Sequence, residues 1–124
     1  MKSNEFLTEG MNPDLIRDFI GYVFEKLVIP GPMPDMKFSE QKEGPDQNRT
    51  GWYNADTNEL WVYTGNRNQI DIMRTIAHEL AHHKQRTENR TAQNQNLADL
   101  ESQADMAAGM IIKLYVRKHP EIIE

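Results

Sequence analysis

Two histidines four residues apart, set in a stretch whose apolar residues recur at helical spacing, constrain this chain more than any other feature. Ile70, Met73, Ala77, Leu80 and Ala81 mark the buried stripe of a helix expected from about 68 to about 88, and His78, Glu79 and His82 lie on that same helix. Residues four apart sit ~40° apart around a helix and one turn along it, so both imidazoles can reach one point. The rest of the fold has to be built around this segment.

Upstream, Asn12 reads as an N-cap, Pro13 as the first helical residue and Asp14 as a complement to the helix dipole. Leu15, Ile16, Phe19, Ile20, Val23 and Leu27 then recur at helical spacing over Pro13–Leu27. Three prolines within 29–35 stop that helix. The middle of the chain reads as sheet: a short strand at 36–39, a loop at 42–50, then GWYN and ELWVYT around the turn-like ADTN as a β-hairpin. In the second hairpin strand, 59–64, Leu60 and Val62 face one side, and Trp61 and Tyr63 the other. A polar loop at 87–96 leads to a third helix over 97–118, which ends before Pro120. Residues 1–11 read as a flexible polar arm anchored by Phe6, Leu7 and Met11. The expected fold is a single α+β domain over 1–124: an N-terminal helix, a small, mostly antiparallel sheet with its hairpin, and the His-bearing and C-terminal helices packed on it.

Composition narrows the chemistry. There is no cysteine, which excludes disulfides, thiolate metal sites and a Cys nucleophile, so a transition-metal site must use imidazole and carboxylate. The net charge is −5, with Lys and Arg scattered, and an acidic domain without a basic stripe is not expected to bind nucleic acid. The longest apolar run, 106–112, is far short of the ~20 residues that span a bilayer. The opening MKSNEFLTEG has no apolar signal-peptide core, so the expected setting is soluble and cytoplasmic.

The segment His78-Glu79-Leu80-Ala81-His82 is an H-E-x-x-H pattern. Its two imidazoles can hold one zinc ion. Glu79, ~100° round from His78, lies beside the metal rather than on it. From there it can take a proton from a zinc-bound water and return it to a leaving amine. Two His and a Glu at this spacing arise by chance in well under ~1% of chains of this length, so the pattern is read as chemistry. A catalytic zinc needs a third protein ligand. His83 points elsewhere on the helix, and His119 is at the far end of the chain. Glu88, Asp99, Glu101 and Asp105 remain. Glu88 sits ~9 Å along the axis from His82, too far to fold back. Glu101 and Asp105 are on a different helix that can pack antiparallel to the first. Their spacing lets Glu101 bind zinc while Asp105, one turn on, holds a ligand imidazole by hydrogen bond.

His82, eighteen residues and then Glu101 resembles the H-E-x-x-H-x18-E arrangement of gluzincin metallopeptidases. Glu101-Ser-Gln-Ala104-Asp105-Met-Ala-Ala108 looks like the E-x-x-A-D-x-x-A element of HtpX-type members. The likeness covers 59–108, about half the chain. It implies a zincin-like fold and a peptide or protein substrate. It also implies Glu101 as third ligand, Asp105 as the partner of a ligand histidine, and Ala104 and Ala108 as small residues that allow close helix packing. The strand 59–64, with Trp61 and Tyr63, is implied to be the cleft's edge strand, against which a peptide lies by β-augmentation. HtpX-type enzymes are membrane proteins, and larger gluzincins add a C-terminal subdomain that supplies an oxyanion-stabilising residue. Here Tyr115 and His119 share Glu101's face but lie ~21 and ~27 Å along a straight helix. Tyr63, Tyr53 and Arg67 are nearer.

The functional expectation is therefore zinc-dependent hydrolysis of peptide bonds, with Glu79 as general base. The alternative is a structural or interaction module that keeps a zinc site; the opening residues resemble the N-termini of marine phage proteins, which suits a virion or assembly component. A nucleic-acid-associated SprT-like protease fits less well, since those resemble a three-His site beside a basic domain. His83 and Lys84 read as solvated, and Trp52 and Trp61 as hairpin packing residues. The sequence sets no oligomeric state.

Overall fold

Each of the three helices starts on an asparagine whose side chain closes the first turn. Asn12 accepts from the backbone N–H groups of Asp14 and Leu15, Asn68 from that of Asp71, and Asn96 from that of Asp99. In every case an Asp follows in the first turn, where the helix dipole favours negative charge. These caps fix α1 (Pro13–Leu27), α2 (Gln69–Thr87) and α3 (Leu97–Lys118) close to the bounds that periodicity predicts. A short 3-10 turn, Pro120–Ile123, follows α3. The computed structural model describes residues 12–41, 49–88 and 96–123. The arm at 1–11 and most of the loops at 42–50 and 87–96 lie outside the described residues.

Three short strands form the sheet: β1 (Asp35–Ser39), β2 (Gly51–Asn54) and β3 (Glu59–Tyr63), in the order β1-β3-β2. The hairpin β2–β3 is antiparallel, as expected, with Trp52 opposite Trp61. The sheet is nonetheless mixed rather than mostly antiparallel, because β1 lies parallel to β3, with Met36 opposite Leu60 and Phe38 opposite Val62. That pairing corrects a further expectation. β3 is the central strand, with both of its hydrogen-bonding edges occupied, so Trp61 and Tyr63 do not belong to a free edge strand. A backbone with both ladders filled has no N–H or C=O row left for an added strand. Trp61 is buried, in keeping with a packing role.

The α+β class stands: helices pack on one face of the small sheet. Leu60 and Val62 point into a core shared with Ile16, Phe19 and Val23 of α1, Ile72, Met73, Ile76 and Leu80 of α2, and Ile111 and Tyr115 of α3. Each fully buried side chain of this kind stabilises by about 1.5–3 kcal/mol, which outweighs any helix propensity of α2. Beyond the core stripe, Thr75, Glu79, His83 and Gln85 are also buried on α2, because that helix touches α1, α3 and the sheet together. Among the described residues no helix is long and apolar enough to cross a membrane.

The end of α1 carries local strain. Val28 caps it in the left-handed region (φ 53°, ψ 57°), with its N–H on the Glu25 and Phe24 carbonyls and its side chain 76% exposed. A β-branched residue clashes there, and glycine does not. Val28→Gly is expected to stabilise the protein by about 1 kcal/mol, read as a shift in the urea midpoint at unchanged m-value.

Candidate metal centre

The α2–α3 pair brings His78, His82 and Glu101 to one place. Glu101 Oε1 lies 3.1 Å from His78 Nε2, Glu101 Oε2 lies 3.0 Å from His82 Nε2, and the two Nε2 atoms are 3.1 Å apart. One ligand atom from each residue falls within 4.8 Å of the others, close enough to hold a metal ion. Tetrahedral ligands about 2.0–2.1 Å from zinc would be roughly 3.3 Å from one another, so the observed spacings are of the right size.

The hydrogen bonds behind the imidazoles decide what these atoms offer. His78 Nδ1 lies 2.8 Å from Asp105 Oδ1. His82 Nδ1 lies 2.9 Å from Gln85 Oε1, and Gln85 Nε2 donates to the Leu100 carbonyl at 2.9 Å. The Leu100 bond fixes the amide so that its oxygen faces His82. Both partners are acceptors, so each Nδ1 is the donor, and in the neutral ring this turns a lone pair of Nε2 inward. Two such lone pairs and a carboxylate, within about 3 Å of one another, repel unless a cation lies among them. The donor set therefore fits a metal ion, and the Asp105 and Gln85 bonds orient the rings for it.

Glu79 sits beside this cluster without joining it. It is 4% exposed, and its Oε1 has no hydrogen-bond partner among the described residues. Burial pushes its carboxyl above the usual carboxylate range, opposed by protonation of His78 or His82 and by the charge of Arg49. The burial is made by Gly51, the first residue of β2. A Cβ built on Gly51 would fall 2.5 Å from Thr75 Cγ2 and 3.0 Å from both Cγ and Oε2 of Glu79. The strand thus reaches the carboxylate only because that position has no side chain. A cavity of about 420 Å³ opens next to Glu79, His78 and Glu101 and runs along the first turns of α2.

The other candidates fall elsewhere. Glu88 pairs with Lys84 on its own helix. Tyr115 donates to Asp18 at 2.6 Å, at the other end of α3, and His119 lies beside it. Asp99 is an exposed first-turn residue of α3. His83 is not solvated: it is 3% exposed, packs on Phe24 and Tyr53, and has Nδ1 2.9 Å from the Tyr53 hydroxyl. The reason is that α2 is enclosed on the sheet side as well as along its apolar stripe, and burial there holds the His83 imidazole below its usual pKa. Sequence reasoning missed Gln85 and Gly51. The first could have been found as a polar residue three beyond His82, on the same face. A glycine opening a strand is a signal of close approach by another group, though not of which group.

Comparison with protein-family models, curated proteins and solved structures finds no match to this chain. The site therefore stands on its own geometry.

Overpacking at the Gly51 contact is testable. Gly51→Ala is expected to destabilise the protein by about 1–3 kcal/mol. Adding Thr75→Ser removes the closest methyl while keeping the hydroxyl that accepts from Arg67, and should recover part of that loss. Urea unfolding of the metal-free proteins measures both; a neutral Gly51→Ala contradicts the contact.

Proposed function

We propose that this chain is a zinc-dependent metallopeptidase in which His78, His82 and Glu101 hold the metal and Glu79 is the general base. The observation that carries the reading is the state of Glu79: a buried carboxyl beside the ligand cluster, raised in pKa by burial, with one oxygen that has no partner among the described residues. Hydrolysis calls for a carboxylate base beside the metal, which a purely structural site does not need. A bound zinc ion supplies Lewis-acid chemistry, making water acidic near neutral pH and polarising a carbonyl. In this reading the Glu79 carboxylate takes the proton from water and passes it to the leaving amine.

Two histidines and one carboxylate also suit iron(II). The adjacent carboxylate base favours zinc, because hydrolysis uses such a base. The spacing shared with gluzincins supports the same assignment. The second reading, a zinc-holding structural or interaction module, requires the same three ligands and gives Glu79 no task.

Metal analysis of the purified protein is expected to give about one zinc ion per chain. Glu101→Ala should lose it, Asp105→Ala should weaken it about 10–100-fold, and Glu88→Ala should leave it unchanged. Glu79→Gln should keep the metal while lowering peptide hydrolysis by about 10²–10⁴-fold. Iron in place of zinc, or full turnover in Glu79→Gln, overturns the proposal. Full zinc occupancy with no hydrolysis across a peptide library establishes the module instead.

A further inference from the structure

The cavity beside the candidate metal centre is walled by arginines. Arg67, Arg74 and Arg49 line it together with Thr75 and Gly51; Arg49 lies just ahead of the Gly51 that packs on Glu79, and Arg67 and Arg74 lie along the first turns of α2. Arg67 is half-buried and rigidly held: it donates to the Tyr63 carbonyl at 2.7 Å, to the Asp71 carbonyl at 2.9 Å and to Thr75 Oγ1 at 2.7 Å. All three acceptors are neutral, so its position is fixed without a direct ion pair, although the Asp71 carboxylate attracts it from nearby. Arg74 rises from α2 towards α3, its Nη1 3.8 Å from a Cβ built on Gly109. Among the described residues none of the three arginines is within 4.0 Å of a carboxylate oxygen.

The carboxylates lining the same cavity are mostly committed elsewhere. Glu101 faces the two imidazoles, Asp105 holds His78, and Glu79 is pressed beneath Gly51. Asp71 is at the exposed first turn of α2. The wall thus presents three guanidinium groups, against which only Asp71, acting on Arg67, and the buried Glu79, acting on Arg49, are uncommitted carboxylates. Guanidinium is the side chain best suited to bind a carboxylate by paired hydrogen bonds, and partial desolvation strengthens that bond.

We propose that this arginine-walled cavity is a substrate subsite for a carboxylate, supplied either by an acidic side chain next to the scissile bond or by the peptide's own C-terminus. Where the Proposed function assigns peptide hydrolysis, this rests on that reading and adds its substrate class. The cavity is too open and too charged to select a large apolar side chain, and it lies within one to two helical turns of His78. A residue adjoining the bond under attack would fall into it.

Binding tests the subsite separately from turnover. The probes are Ala/Gly octapeptides with a neutral dye, carrying Glu, Gln or Lys centrally, each with a free or an amidated C-terminus. Their affinities are measured by fluorescence anisotropy on zinc-loaded Glu79→Gln protein. The Glu peptide is expected to bind about tenfold tighter than its Gln twin if a side chain is read. A preference of similar size for the free over the amidated terminus is expected if the C-terminus is read. Arg49→Gln with Arg74→Gln, both at exposed positions, should cut the preference severalfold, which separates the arginine wall from any pull of the metal on anions. Arg67→Lys, which keeps the charge and loses the fork, should cut it further. Equal binding of all peptides, no binding, a preference for Lys, or a carboxylate preference untouched by the arginine variants overturns the proposal. Hydrolysis by the unsubstituted protein is assayed alongside: carboxylate preference without cleavage refutes the peptidase reading and leaves the anion subsite standing.

Discussion

The site depends on the register of α3 against α2. Ala77 and Ala81 on one helix, and Ala104 and Ala108 on the other, are all buried, and residues this small let two helices approach closely. A slip of one turn would carry Glu101 ~5.4 Å along the axis, beyond reach of both imidazoles, while leaving an apolar stripe still able to pack. The apolar stripes alone therefore do not set the register. The bond from Gln85 to the Leu100 carbonyl does, since it ties the residue that orients His82 to the residue that precedes Glu101. The Asp105–His78 contact adds a second tie one turn along.

The sheet has a narrower task. With β3 in the centre, its inner face supplies Leu60 and Val62 to the core, and β2 becomes the strand that borders Glu79. A peptide laid along this cleft would meet β2, whose outer edge has no partner strand among the described residues, rather than β3. Arg49 and Thr50, just ahead of β2, and Arg67, just ahead of α2, then line the same cavity as His78 and Glu101. One short strand thus packs against Glu79 on one side and borders the charged cavity on the other.

What could be read from the sequence follows the range of the interactions. His78 and His82 meet through helix geometry alone, so local spacing suffices. The helix bounds were legible because Asn12 with Pro13, and the run of prolines after Leu27, act within a few residues. Glu101 and Asp105 needed the relation of two helices; reach reduced the choice to that helix, and the gluzincin spacing selected Glu101. β1 beside β3 was not legible, because a parallel pairing across more than twenty residues leaves no turn signature. His83 and Gln85 were misread or missed for a different reason. An apolar stripe marks only one face, and α2 is buried on more than one, so polar residues on the added faces look solvated in the sequence.

Those polar residues are where the chain departs from what stability alone would select. A glycine in a strand weakens it, and a buried carboxyl without a full set of partners costs energy in proportion to its charge. Both occur at one contact, Gly51 against Glu79, a few ångströms from two imidazole lone pairs and a second carboxylate that repel one another. A cation among these groups relieves the penalties together: it gives the lone pairs a partner and lowers the cost of an ionised Glu79 nearby. Binding of such an ion would therefore be linked to the pairing of α2 with α3, favouring the register that Gln85 and Asp105 already select. The groups that cost the metal-free chain most, Glu79 and the ligand cluster beside it, are thus the ones that a bound cation would relieve.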